Sequence, residues 1–147
     1  MKNKYRIEKK ARTLWGGDLH KDKNVAAHCY QLRDIFQKKW TTSLKGKLLE
    51  IGCGSGSDLN IFSKVQSIKK IVAIDLGSNI VKLARKYQTK KNIIVKKGNA
   101  LSLKFKDNEF DIIYSFGVFH HTADPKKCIS ESYRVLKKKW MSFFIPI

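Results

Sequence analysis

The run from Lys47 to Asp58, Lys-Leu-Leu-Glu-Ile-Gly-Cys-Gly-Ser-Gly-Ser-Asp, constrains the fold more than any other stretch of this chain. Its apolar start reads as a short strand, and Ser57-Asp58 reads as the start of a helix. Between them, Gly52, Gly54 and Gly56 stand at alternate positions and leave a turn without side chains. A ligand can come close to such a backbone. Strand, glycine turn and helix together are how a parallel sheet presents a nucleotide-type site.

The spacing narrows the ligand. A dinucleotide fingerprint requires G-x-G-x-x-G/A, whereas here Ser57 holds the third slot and a glycine falls one residue early. A phosphate-cradling P-loop requires Gly-Lys-Ser/Thr after a longer gap, whereas Gly56 is followed by Ser57-Asp58. Acid-x-Gly-x-Gly-x-Gly fits neither motif.

Around this unit, strand and helix patterns alternate. Asn24 is placed to cap a helix from about Val25 to Trp40, whose apolar residues Val25, Cys29, Leu32, Phe36 and Trp40 share one face. A helix is expected from Asp58 to about Val65, then a buried strand at Lys70–Asp75, then a Ser78-capped helix burying Ile80, Leu83, Ala84 and Tyr87. Further strands are expected at Asn92–Val95, Phe110–Ser115 and Phe143–Ile145. Asp124-Pro125 opens another helix, with Cys128, Ile129, Ser132, Tyr133 and Leu136 as its inner stripe. Such alternation implies βαβ units and a parallel sheet. The division expected is an arm and amphipathic helix over residues 1–46 and an α/β core over 47–147.

In an open α/β sheet the ligand lies beyond the carboxyl ends of the strands. Asp75 ends the second strand, where a carboxylate can accept bonds from both hydroxyls of a ribose. Asn99-Ala100 follows the third, where a side-chain carbonyl and a backbone N–H can meet a base. The fourth strand leads through Ser115 into Phe116-Gly-Val-Phe-His-His121. From Lys47 to Leu136 the chain resembles the class I S-adenosylmethionine methyltransferases of the small-molecule and quinone group. The resemblance rests on Glu50 to Gly56, Asp75, Gly98 to Ala100, Phe110-Asp111, His120-His121 and Arg134 to Lys137.

That resemblance implies a Rossmann-like sheet of strand order 3-2-1-4-5 that binds S-adenosylmethionine. Gly52 and Gly54 would lie against its methionine part, Asp75 on its ribose and Asn99 near its adenine. Glu50, Cys53, Gly56, Leu76, Ala100 and Ser115 complete the implied set. His120 and His121 are the candidates for a base, although the preferred reading is that one of them only shapes the pocket wall. Methyl transfer asks for little machinery, because the donor arrives activated and holding the nucleophile in line supplies much of the rate.

Two departures stand out. Asn99 replaces the family's usual aspartate, keeping an acceptor but losing a charge. After Lys137 the family has a glycine- or proline-containing turn and further strands, whereas this chain reads Lys-Lys-Trp-Met and ends at Ile147. Starting one nucleotide later in the Lys139 codon would read Asn-Gly or Ser-Gly, which restores the turn. A frameshift there and a natural short form are the two explanations, and the expectation is a sheet lacking the last strands. Its unpaired outer edge would favour self-association.

Composition bears on partners. Hydrophobic content of 42% with 29% charged residues describes a globular chain, and no apolar run approaches the roughly 18 residues of a membrane span. Cys29, Cys53 and Cys128 lack metal-ligand spacing and read as free thiols in a reducing cytoplasm. The net charge of +19 raises a nucleic-acid surface, but only five of the 31 basic residues are arginines, and lysine excess also follows from base composition. The leading expectation is a methyltransferase for a small-molecule acceptor, short and of uncertain competence. An RNA-modifying enzyme and a silent cofactor-binding interaction domain are the alternatives.

Overall fold

The computed structural model describes residues 41–138 together with the backbone of a strand at 142–145. The helix expected at Val25–Trp40 lies outside the described residues. Five strands form one parallel sheet: β1 (Gly46–Ile51), β2 (Ile68–Asp75), β3 (Ile93–Lys97), β4 (Ile112–Phe116) and β5 (Ser142–Ile145). Their order is β3-β2-β1-β4-β5, as expected. Helices α1 (Ser57–Phe62), α2 (Ser78–Ala84) and α3 (Pro125–Val135) make crossovers between them. Among the described residues, no helix is long and apolar enough to cross a membrane.

β1 lies at the centre because it is apolar on both faces. Leu48 points with Ile71, Ala73, Ile112 and Tyr114 toward Leu59 and Phe62 of α1 and Val81 of α2. Leu49 and Ile51 point the other way, with Val72, Ile74 and Ile113, toward Leu103, Phe110 and Val135. Leu48, Leu49, Leu59 and Ile113 are fully excluded from water, each a burial worth about 2 kcal/mol. Alternate residues of one strand thus serve two cores, which is why these strands read as unbroken apolar runs.

The edge strand β3 is covered from α2's side. Gln88 Oε1 accepts from Val95 N at 3.0 Å, and Arg85 Nε donates to Val95 O at 3.5 Å. These bonds occupy backbone groups that an edge would otherwise offer to another strand. At the amino ends of β1 and β4, Lys47 Nζ meets Glu109 Oε1 at 2.5 Å, and Lys137 Nζ meets Asp111 Oδ1 at 2.7 Å. Asp111 Oδ2 also accepts from Lys47 N at 2.8 Å. Phe110-Asp111 therefore fastens the entry of β4 to β1 and to the chain leaving α3.

Several local readings are corrected. Gly77, not Ser78, caps α2. α1 ends at Phe62 rather than Val65, because Ser63 turns the chain and its hydroxyl bonds Asn60 O at 2.7 Å. Phe110 precedes β4 and instead bridges Leu136. Leu83 is exposed, with Val81 and Ala84 forming the buried side of α2. The inner face of α3 is Cys128, Glu131, Ser132 and Val135, whereas Ile129 and Tyr133 are 48% and 70% exposed. A charged residue turns inward there because its partners lie inward, as described below.

Candidate functional site

The carboxyl ends of β1, β2 and β4 lie side by side, since β1 pairs with both neighbours in parallel. The glycine turn leaves β1 at Ile51. Gly52 N and Cys53 N both donate to Ile74 O of β2, at 2.8 and 3.0 Å, so the turn is laid across the end of the neighbouring strand. Gly56 N then donates to Cys53 O at 2.9 Å, and Gly56 O receives Asn60 N at 3.0 Å, which starts α1.

The three glycines have different causes. A methyl group on Gly52 would run into the side chain of Val118, and one on Gly56 into the ring of Tyr87. Those two are glycines because protein already fills the space. Gly54, at φ +54°, would find nothing within 4 Å, so its bare backbone faces open space. Gly117, after β4, has φ +64° and is open in the same way. Gly117 belongs to none of the motifs that marked the site in the sequence. Its signal was available, as a glycine directly beyond a strand end.

Asp75 joins two of these turns. Its Oδ2 accepts from Gly54 N and its Oδ1 from Gly77 N, both at 3.0 Å. One carboxylate thus holds the glycine turn against the turn after β2. Each oxygen retains a further lone pair, so the group can still accept from a ligand's hydroxyls. Leu76 is half-buried beside it. Capping the turn and accepting from a ligand are therefore compatible roles for the same side chain.

Two acidic side chains, Glu50 and Asp75, stand near these strand ends. Glu50, at the end of β1, is only 2% exposed. Cys53 is buried, and burial first, then the charges of Glu50 and Asp75, push its thiol well above the ordinary range. Such a thiol remains protonated and is no nucleophile.

The other candidates divide. Asn99 bridges Ser102, and its Oδ1 accepts from Leu101 N at 2.9 Å, so its carbonyl braces its own turn. Ala100 packs against the core beneath. Ser115 Oγ donates to Ile51 O at 3.0 Å, pinning β4 to the start of the glycine turn. Tyr114 in turn donates to Asp58 Oδ2 at 2.9 Å and lies edge-on to Phe62, tying β4 to α1. The Asp58–Tyr114 pair was missed in the sequence, because a 56-residue separation leaves no local pattern.

The histidines occupy a short 3-10 turn, Phe119–His121, immediately beyond β4. His121 N bonds Val118 O at 3.0 Å, and the Thr122 hydroxyl bonds Phe119 O at 2.7 Å. The two rings lie 3.8 Å apart between centroids, with His120 exposed and His121 half-buried. Burial, and then the neighbouring His120, lower the pKa of His121. A neutral imidazole is thereby favoured, the form able to accept a proton.

Known proteins resemble this chain in sequence and fold. YcgJ of Bacillus subtilis, named an uncharacterized methyltransferase, is 29% identical over 124 residues, covering 82% of this chain and 48% of that protein. Its crystal structure has a TM-score of 0.61 at 30% identity, covering 67% of this chain and 42% of that one. The demethylmenaquinone methyltransferase of Lactiplantibacillus plantarum is 30% identical over 96 residues, 61% of this chain and 40% of that protein. An S-adenosylmethionine-dependent methyltransferase from Aquifex aeolicus has a TM-score of 0.57 at 31% identity, covering 64% and 53%. The chain spans less than half the length of the two curated relatives. Residues 49–141 match the family described as the methyltransferase domain, and the chain belongs to that family.

Proposed function

We propose that this chain is the cofactor-binding core of an S-adenosylmethionine-dependent methyltransferase whose acceptor is a small molecule, of the quinone type. The observation that carries the cofactor is the bracket of Gly54, Asp75 and Gly77. An open glycine backbone lies directly beside a carboxylate whose position is fixed by two amide bonds at 3.0 Å. Bound there, the cofactor supplies an activated methyl group.

The chain's own residues supply the rest. Gly52 to Gly56 give the methionine part a surface free of side chains, and Asp75 accepts from the ribose hydroxyls. Glu50 and Asp75 place two acidic side chains on the side of the site that meets the cationic donor. Ala100 N–H and the Asn99 turn form the adenine side, with Leu76 beside the ring. His121, held neutral, receives the acceptor's proton, and His120 borders the same opening. The acceptor class is supported by the likeness to a demethylmenaquinone methyltransferase and by the scarcity of arginine for reading a nucleic acid.

Titration of S-adenosylhomocysteine into the wild type and Asp75→Ala, with thermal melts of both, tests the reading. Binding by the wild type, weakened at least roughly tenfold in a folded Asp75→Ala, is expected from the loss of charged hydrogen bonds. Equal affinity in the two, or none in either, refutes it. Transfer of labelled methyl to a demethylated quinol but not to tRNA is the expected acceptor result.

A further inference from the structure

Between Leu76 and Lys106 the chain holds nine cationic residues and no acidic one. The other described residues, 41–75 and 107–138, contain eight acids. At that density about four acids would fall within the segment, so a genome-wide lysine excess does not account for it. The deficit is of acids, and it is local.

The fold gathers this segment at one end of the molecule. It comprises α2, the 3-10 turn Arg85–Tyr87, the edge strand β3 and the connection that follows. Lys82, Arg85 and Lys86 lie on α2 and its turn, with Lys90 and Lys91 in the loop beyond. Lys96 and Lys97 end β3, and Lys104 and Lys106 follow on the opposite face of the sheet. All nine are exposed. None of them forms a salt bridge with a described residue, whereas Glu109, Asp111, Asp107 and Glu131 are engaged by Lys47, Lys137, Arg134 and Lys127 elsewhere.

We propose that this β3 edge is a docking surface for a phospholipid bilayer carrying anionic headgroups. Charge complementarity gives the sign of the partner, and three features select a lipid surface over a nucleic acid. Eight of the nine cations are lysines, and the one guanidinium, Arg85, already donates to Val95 O. A surface of mobile point charges suits a fluid array of headgroups, whereas phosphate and base reading favours arginine forks. No aromatic ring of the segment is exposed to stack a base: Tyr87 and Phe105 are half-buried, and the ammonium groups of Lys86 and Lys96 lie 4.8 and 4.5 Å from their respective ring centroids. Finally Leu83 of α2, 55% exposed, stands beside Lys82 and just before Arg85 and Lys86 of the turn that follows. Basic residues around an outward apolar side chain are the pattern of an interfacial helix.

Lys97 is the register partner of Asp75, so this surface adjoins the carboxyl end of the sheet. Docking there would hold the candidate site near a membrane-dissolved acceptor. The surface itself does not depend on the methyltransferase reading, because its test uses neither cofactor nor acceptor.

The test is co-sedimentation of the full chain with vesicles of phosphatidylcholine alone and of equimolar phosphatidylcholine and phosphatidylglycerol. Binding to the anionic vesicles only, released by high salt, is expected. The variant K82E/K86E/K91E/K97E should bind roughly a hundredfold more weakly, at several-fold per lysine. The charge-matched variant K69E/K126E/K127E/K138E should lose less than about tenfold, since a distant charge acts only through the screened general field. Leu83→Ser should weaken vesicle binding several-fold. Circular dichroism establishes that each variant is folded. Equal losses in the two quadruple variants, binding to both vesicle types alike, or displacement from vesicles by tRNA at equal phosphate concentration would overturn the proposal.

Discussion

Arg134 holds both carboxylate oxygens of Glu131 on the same helix, with Nε on Oε1 at 3.0 Å and Nη2 on Oε2 at 2.9 Å. The guanidinium extends further, to Asp107 Oδ1 at 2.7 Å and to the carbonyls of Leu103 and Phe105 at 2.8 and 2.9 Å. Glu131 Oε2 accepts from Leu103 N at 2.8 Å. Two side chains of α3 thus hold the long connection between β3 and β4, which begins at the Asn99-Ala100 turn.

Arg134→Ala would leave Glu131, 9% exposed, with only Lys127 at 3.9 Å as a cation and would free two carbonyls. A loss of about 2–3 kcal/mol is expected, the range for breaking charged bonds at a mostly buried site. Arg134→Lys should recover less than half of it, because an ammonium lacks the planar fork. Urea unfolding curves measure both. A change below about 0.5 kcal/mol for the alanine variant would show the clamp to be ornamental.

The same cluster sets an acid limit on stability. The Arg134 bond, outweighing burial and helped by Leu103 N, lowers the pKa of Glu131. At Asp111 burial acts upward but is exceeded by Lys137, Lys47 N and the lysine charges, so the net direction is again down. A carboxylate with a lowered folded pKa stabilises above its unfolded value of about 4, and that contribution disappears as pH falls through the folded value. The carboxylates' contribution to the urea midpoint should therefore be constant from pH 7 to about 5 and be lost below about 4, with Glu131→Gln flattening part of that drop. An unchanged acid limb in Glu131→Gln would exclude Glu131 as a source.

The sheet was legible because its strands bury both faces. Lys70–Asp75 is apolar almost throughout, and a run of that kind between turns has few other uses. α3 was less legible, because periodicity assumes that apolar residues point inward. Glu131 points inward, since Arg134 and Leu103 N complete its bonds, and Ile129 and Tyr133 are rotated to the surface. Asp75 could be located from its strand end, but its bonds to Gly54 and Gly77 required the fold. The acid-free segment was readable as text, yet only the topology shows that α2, β3 and the following connection meet at one edge.

His121 offers a spectroscopic prediction. Burial, followed by repulsion from His120, places its folded pKa below the usual histidine value of about 6.5. His120→Ala removes only the second cause, so the His121 titration should move up but stay below that value. Because the folded pKa is lowered, this residue stabilises most above pH ~6.5 and loses the contribution as pH falls through the folded pKa. Imidazole proton shifts followed from pH 5 to 8 provide the measurement. A His121 pKa unmoved by His120→Ala would mean that the 3.8 Å ring contact carries no electrostatic coupling.

The unequal glycines give the sharpest separation of folding from binding. Gly52 and Gly54 have φ +79° and +54°, so alanine at either costs roughly 1–2 kcal/mol of backbone strain. Only at Gly52 does the new methyl meet protein, the side chain of Val118, adding an overpacking cost of about 1–3 kcal/mol. At Gly54 the methyl enters open space, and it falls where the proposed cofactor would lie. Gly54→Ala should therefore melt below the wild type by the strain cost alone, yet bind S-adenosylhomocysteine at least roughly tenfold more weakly because its methyl fills space the ligand needs. Gly52→Ala should be the less stable of the two, and Val118→Ala in the same chain should restore part of the loss, because the two sites share one volume. Equal melting of the two glycine variants, with no recovery in the double variant, would overturn this division of roles. Undiminished binding by Gly54→Ala would move the cofactor away from the turn.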